Sequence, residues 1–105
     1  ALGLSIVATG GYGRGEQFPH SDVDLLFLFR PAARAMAERV SRQLLTVLWD
    51  MKLKVGHALR TVDETLALAT EDFTIRTNLL DARLVAGDAE LLQDFLERFE
   101  QEVVQ

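Results

Sequence analysis

Apolar residues fall first into short runs and later into periodic stripes along this chain. Leu4-Ser5-Ile6-Val7-Ala8-Thr9 is a mostly apolar run stopped by Gly10-Gly11, which predicts a first strand. Residues 12–16 are expected to form a short helical turn, and Phe18-Pro19-His20-Ser21 a loop. Val23 to Phe29 is apolar without a break after Asp24, the pattern of a strand covered on both faces. Pro31 is suited to opening a helix, and Met36, Val40, Leu44, Val47 and Leu48 recur at helical spacing, so residues 32–49 read as an amphipathic helix. Strand alternation returns over residues 53–59, where Leu53, Val55, His57 and Leu59 oppose Lys54, Gly56, Ala58 and Arg60. Thr61 and Glu64 have capping-box spacing and predict the start of another helix. Residues 72–80 read as a further helix, and Arg83 to Ala86 as a short strand closed by Gly87. Asp88 is placed to cap a last helix with the stripe Leu91, Leu92, Phe95, Leu96, Phe99 and Val103. The elements add up to an α/β (α+β) fold: a small mixed β-sheet with helices packed against it.

Composition narrows the class. The 105 residues are 49% apolar and 26% charged, which suits one globular domain spanning residues 1–105. No cysteine is present, so disulfides, thiolate metal sites and cysteine nucleophiles are excluded. No apolar run has the length of a membrane span. The start carries neither a basic segment nor a cleavage site, which leads to the expectation of a cytoplasmic protein. A net charge of −5 disfavours a nucleic-acid partner, because phosphate backbones select basic faces. The chain opens on Ala1 inside an apolar segment, and we expect it to be a piece of a longer multidomain enzyme.

The chemistry is concentrated in Gly10-Gly11-Tyr12-Gly13-Arg14-Gly15-Glu16 and Ser21-Asp22-Val23-Asp24-Leu25. Asp22 and Asp24 occupy alternate positions at the start of a strand, so their side chains share a face. Two carboxylates side by side in apolar surroundings repel one another and lose hydration. A divalent cation removes that penalty, and hard oxygen ligands suit Mg²⁺ or Mn²⁺. A strand ending in Gly10-Gly11 and running into a helical turn lets backbone N–H groups approach an anion. Residues 12–21 are enough chain for a turn and a return loop that bring the two sites together. A phosphate-binding bend facing a metal-binding Asp-x-Asp outlines a nucleoside triphosphate site, and the implied chemistry is nucleotidyl transfer. The glycines fit neither the dinucleotide nor the P-loop spacing.

These two segments resemble the signature of the DNA polymerase β-like nucleotidyltransferase superfamily. A closer resemblance is to the bacterial PII uridylyltransferase/uridylyl-removing enzyme family. It rests on those segments together with Val55-Gly56-His57-Ala58-Leu59-Arg60-Thr61 and Leu79-Leu80-Asp81-Ala82-Arg83-Leu84-Val85-Ala86-Gly87-Asp88, and covers nearly the whole chain. The resemblance implies transfer of UMP from UTP to a tyrosine of the PII nitrogen-regulatory protein. It also implies an HD-type hydrolase domain and glutamine-sensing ACT domains elsewhere in the enzyme, which these residues cannot contain. It further implies a third carboxylate on a later strand. The strand expected here has no Asp or Glu, and Lys54 stands where the family pattern has glutamate; Asp50 and Asp63 flank it.

Arg14 is a candidate triphosphate clamp, with an ion pair to Glu16 as its structural alternative. Ser21 is a candidate phosphate or metal-water contact, with a turn role as its alternative. Arg60 and Lys54 share a face from which a substrate phosphate is reachable. His57 is expected to be buried and hydrogen-bonded, His20 to lie at the surface, and Trp49, Phe95 and Phe99 to be core. Asp81 and Arg83 are spaced for an ion pair. Two other readings share these residues: a minimal nucleotidyltransferase of a toxin–antitoxin pair, and a non-catalytic nucleotide-binding or interaction domain.

Overall fold

In the computed structural model, residues 3–9 and 23–104 are described, and they form a four-stranded mixed sheet with helices on both faces. Strand β1 is Leu4–Ala8 and β2 is Val23–Phe29; they pair antiparallel, with Leu4 opposite Phe29 and Ala8 opposite Leu25. A 3₁₀ turn at Pro31–Ala33 leads into helix α1, Arg34–Asp50. This helix is the crossover that a parallel strand pair requires, and β3, Val55–Thr61, duly runs parallel to β2. Helices α2, Val62–Glu71, and α3, Phe73–Leu79, follow. Strand β4, Arg83–Gly87, pairs antiparallel with β1 on its other side, and the sheet order is β3-β2-β1-β4. Helix α4, Ala89–Phe99, runs on into a π-helical turn at Glu100–Val104.

The reading of β2 as a doubly covered strand holds. Leu25, Phe27 and Phe29 join Leu4, Ile6 and Ala8 in a core under α1. Leu26 and Leu28 join Val7 in a second core with Leu66, Leu79, Phe95 and Phe99 on the opposite face. β3 begins and ends two residues later than expected, because Lys52 turns in the left-handed region (φ 69°) and Leu53 N still donates to Leu48 O (3.1 Å). The capping box is present in full. Glu64 N donates to Thr61 Oγ1 (3.1 Å) and Thr61 N donates to Glu64 Oε1 (2.8 Å), and this second bond holds the Glu64 carboxyl below its usual pKa.

Asp88 caps α4 through Leu91 N (3.1 Å) and also receives Gly3 N (3.0 Å), tying the start of β1 to the last helix. Gly87 lies beside it with φ 104°, where a Cβ would collide with the Leu4 carbonyl oxygen; only glycine fits this crossing. Trp49 departs from expectation. It is 51% exposed on the outer side of α1, whereas Phe95 and Phe99 are buried.

Candidate functional site

The site is built on the first residues of β2. The parallel register places Asp24 opposite Gly56 and Leu26 opposite Ala58, so the strand beside the aspartate carries no bulk. Thr9 N donates to Asp24 O (3.1 Å), and Val23 N donates to Lys54 O (3.3 Å). The residue that precedes the double glycine in the chain is therefore hydrogen-bonded to the aspartate strand from one side, and Lys54 adjoins it from the other. Small side chains on β3 and the crossing of α2 and α3 leave a small open cleft. Thr9, Asp24, Ala58, Arg60, Thr65 and Asn78 line it, and Leu26, Leu68 and Ile75 supply apolar wall.

Asp24 is half-buried, as is Arg60, which lies on the same face of the sheet one strand away and four positions further along the register from Gly56. One cleft thus carries a carboxylate at its strand and a guanidinium along its wall, the charge pattern that suits a metal-chelated phosphate. Thr65 is spoken for, since its Oγ1 donates to Thr61 O (2.8 Å).

Of the residues singled out in the sequence, Asp24 and Arg60 come together in the cleft. Gly10, Gly11, Arg14, Glu16, His20, Ser21 and Asp22 lie outside the described residues. Lys54 is exposed and is not among the residues that line the cleft. His57 corrects the expectation of burial: it is exposed and meets the exposed Trp49 edge-on, with ring centroids 6.2 Å apart. Its partner side is the end of α1, which covers β3, an edge strand, only in part. Asp81 and Arg83 approach to 4.0 Å as expected.

Neither flanking aspartate replaces the missing third carboxylate. Asp63 lies in the first turn of α2, past the end of β3 at Thr61, which is roughly 16 Å along the strand from the level of Asp24 at about 3.3 Å per residue, and it is ion-paired with Arg98 at 3.0 Å. Asp50 ends α1, on the opposite face of the sheet from Asp24. Among the described residues no three His, Cys, Asp or Glu side chains group to hold a metal. Of the two aspartates of the motif, Asp24 lies among the described residues and Asp22 outside them.

Sequence reasoning missed Thr9, Thr65 and Asn78 as cleft residues. Thr9 read only as the end of a strand. Asn78 looks like an ordinary polar position in a short helix, and only the path of α3 across the sheet turns it inward.

Known proteins resemble this chain in sequence. A family model of the nucleotidyltransferase domain matches residues 2–102. The bifunctional uridylyltransferase/uridylyl-removing enzyme of Bradyrhizobium diazoefficiens is 51% identical over 102 residues, which cover 97% of this chain and 11% of that protein. The enzymes of the same name from Phenylobacterium zucineum (52% over 101 residues, 96% of this chain, 11% of that protein) and Rhodopseudomonas palustris (50% over 102 residues, 97% and 11%) are similar to the same extent. The chain spans about a tenth of the length of these relatives. No solved structure matches it. Among the described residues no helix is long and apolar enough to cross a membrane. The family match over nearly the whole chain and the mixed sheet that presents Asp24 lead to one conclusion: this chain belongs to the nucleotidyltransferase domain family.

Proposed function

We propose that this domain transfers UMP from UTP to a tyrosine hydroxyl of the PII nitrogen-regulatory protein. The observation that carries the reading is the placement of Asp24 in a cleft with Arg60, directly bonded to the residue that leads into Gly10-Gly11. The names of the relatives, which are uridylyltransferases, supply the nucleotide. Asp22 and Asp24 would hold Mg²⁺ or Mn²⁺. Such an ion, when bound, offsets charge on the phosphates and acidifies the attacking hydroxyl. Gly10 and Gly11 offer backbone N–H groups to the triphosphate, Arg14 and Ser21 add side-chain donors, and Arg60 faces the same anion from β3. In the reaction the tyrosine oxygen bonds to the α-phosphorus, the bond from that phosphorus to the β-phosphate bridging oxygen breaks, pyrophosphate leaves, and the hydroxyl proton passes to solvent.

A second reading, nucleotide binding without transfer, is favoured by one observation: the strand next to Asp24 presents Lys54, and neither Asp50 nor Asp63 reaches the cleft. Incorporation of UMP from α-labelled UTP into purified PII by the full chain with Mg²⁺ separates the two. Transfer is expected, and Asp22→Asn with Asp24→Asn should lower it at least about a hundredfold, since ligand loss exceeds the effect of losing a ligand's supporting partner. UTP binding with no transfer by the unsubstituted chain establishes the second reading. Transfer that survives both substitutions removes the aspartates from the mechanism.

A further inference from the structure

Charge is divided unevenly along this chain. Six of its eleven basic residues lie between Arg30 and Lys54, with only two of its sixteen acidic residues, Glu38 and Asp50. That segment is α1 and its two flanks, so an otherwise acidic domain carries one basic side. Two of these cations have tasks in the fold. Arg30 is paired with Asp94 (3.2 Å), and Arg34 lies over the Phe29 ring, 5.0 Å from its centroid. Arg39, Arg42 and Lys52 are exposed and enter no ion pair among the described residues. Arg39, Arg42, Thr46 and Trp49 follow one another at spacings of three and four, which sets them on one side of α1. The stripe ends at Trp49, where Val47 and Met51 are exposed as well. An aromatic anchor bordered by charge is the make-up of a protein contact.

The place of the stripe gives it a use. Trp49 meets His57 on β3, an edge strand of the described sheet, and His57 stands opposite Leu25, the residue after Asp24. The stripe therefore reaches the sheet at the level of the aspartate, on the other face, and Asp24 is the second residue of its strand. A protein seated on α1 has only the start of β3 to pass around to bring a side chain to Asp24. Resting on the transfer reading above, we propose that this side of α1 docks the acceptor protein, through an acidic patch that faces Arg39, Arg42 and Lys52 and an apolar contact on Trp49. The remainder of the domain, with five basic and fourteen acidic residues, repels such a patch, so charge sets both the place and the orientation of docking. A nucleic-acid backbone fits less well, because the same remainder repels a long polyanion running beyond the helix.

Trp49 is the only tryptophan of the chain, so its emission reports on this surface alone. With a tryptophan-free PII as titrant, acrylamide quenching of Trp49 in the full chain should fall by about half in a saturable manner, as for an anchor buried at the centre of a contact. Arg39→Glu with Arg42→Glu should weaken that binding about tenfold or more and raise the KM for PII to match, while kcat and the KM for UTP stay unchanged. Salt at about 0.5 M should weaken binding by the unsubstituted chain far more than by the double variant. Shielding that charge reversal leaves intact overturns the inference. So does shielding that grows with the concentration of the domain alone, or that a DNA duplex produces and PII does not. Transfer of UMP to PII without shielding of Trp49 overturns the docking surface and leaves the transfer reading standing. Shielding without transfer overturns the transfer reading and leaves the surface, and the absence of both overturns both.

Discussion

The two faces of the sheet are made from the same strands, yet one is closed and the other opens into a cleft. On the α1 face, Val23, Leu25, Phe27 and Phe29 of β2 lie opposite Val55, His57, Leu59 and Thr61 of β3, and the apolar ones among them pack under α1. On the opposite face β2 presents Asp24, Leu26 and Leu28, while β3 answers with Gly56, Ala58 and Arg60. Bulky β2 side chains on the first face are covered by α1. Small residues stand next to a carboxylate on the second, and a helix pair bridges what remains. Stability and chemistry are thereby divided between alternate residues of one strand, and a substitution at successive positions should move one and spare the other.

The sharpest break of this division sets Phe27 against Asp24. Phe27 is wholly buried, and Phe27→Ala should cost about 3–5 kcal/mol in denaturant unfolding. Asp24→Asn should move the unfolding midpoint by no more than about 1 kcal/mol and yet abolish most UMP transfer. If Asp24→Asn unfolds the protein as Phe27→Ala does, the carboxylate belongs to the scaffold and the faces are not functionally distinct.

Lys54 gives a smaller and more specific test. Its carbonyl receives Val23 N, so its backbone adjoins the aspartate strand. Lys54→Glu would add a hard oxygen donor near Asp24 on the open face. The Mg²⁺ concentration for half-maximal transfer should fall about tenfold, since carboxylate count tunes affinity for such ions. An unchanged or raised Mg²⁺ requirement would mean that the lysine's side chain serves the open face in its own right.

The division was legible in the sequence in part. The unbroken run after Asp24 announced a strand with two covered faces, and the capping residues Thr61 and Asp88 marked both helix starts, because these signals are local. What the sequence concealed is set by how distant elements cross. Trp49 and His57 were expected inside, but α1 ends over an edge strand, where neither is covered from outside. Asn78 carries no periodic or motif signal; its burial comes from the seat of a short helix on the sheet. Arg60 was marked as a phosphate contact by strand parity alone, and the cleft contains it. Gly10, Gly11 and Asp22, legible as a motif, lie outside the described residues.

A second aspartate, Asp88, is buried where β4 gives way to α4 and has a structural task. Asp88 lies at the opposite end of β1 from the Asp24 cleft, where Leu4 O receives Asp88 N (2.8 Å) and Thr9 bonds the other end. Backbone N–H groups, Gly3 first and Leu91 second, hold its carboxyl below the usual carboxylate range. A carboxyl that ionises more readily in the folded chain than in the unfolded chain binds fewer protons when folded. The stability it contributes is complete above its unfolded value near 4 and is lost as pH falls through the lower folded value. Asp88→Ala should therefore lower stability at neutral pH and flatten the decline in stability expected of the native chain below about pH 4. UTP binding at neutral pH should survive in the folded fraction, because Asp88 is remote from the cleft. Should Asp88→Ala leave the acid limb of the stability profile unchanged, its backbone hydrogen bonds would not be what anchors β1 to α4. Should it abolish nucleotide binding in protein that remains folded, the two ends of β1 would be coupled and the division of labour between them would fail.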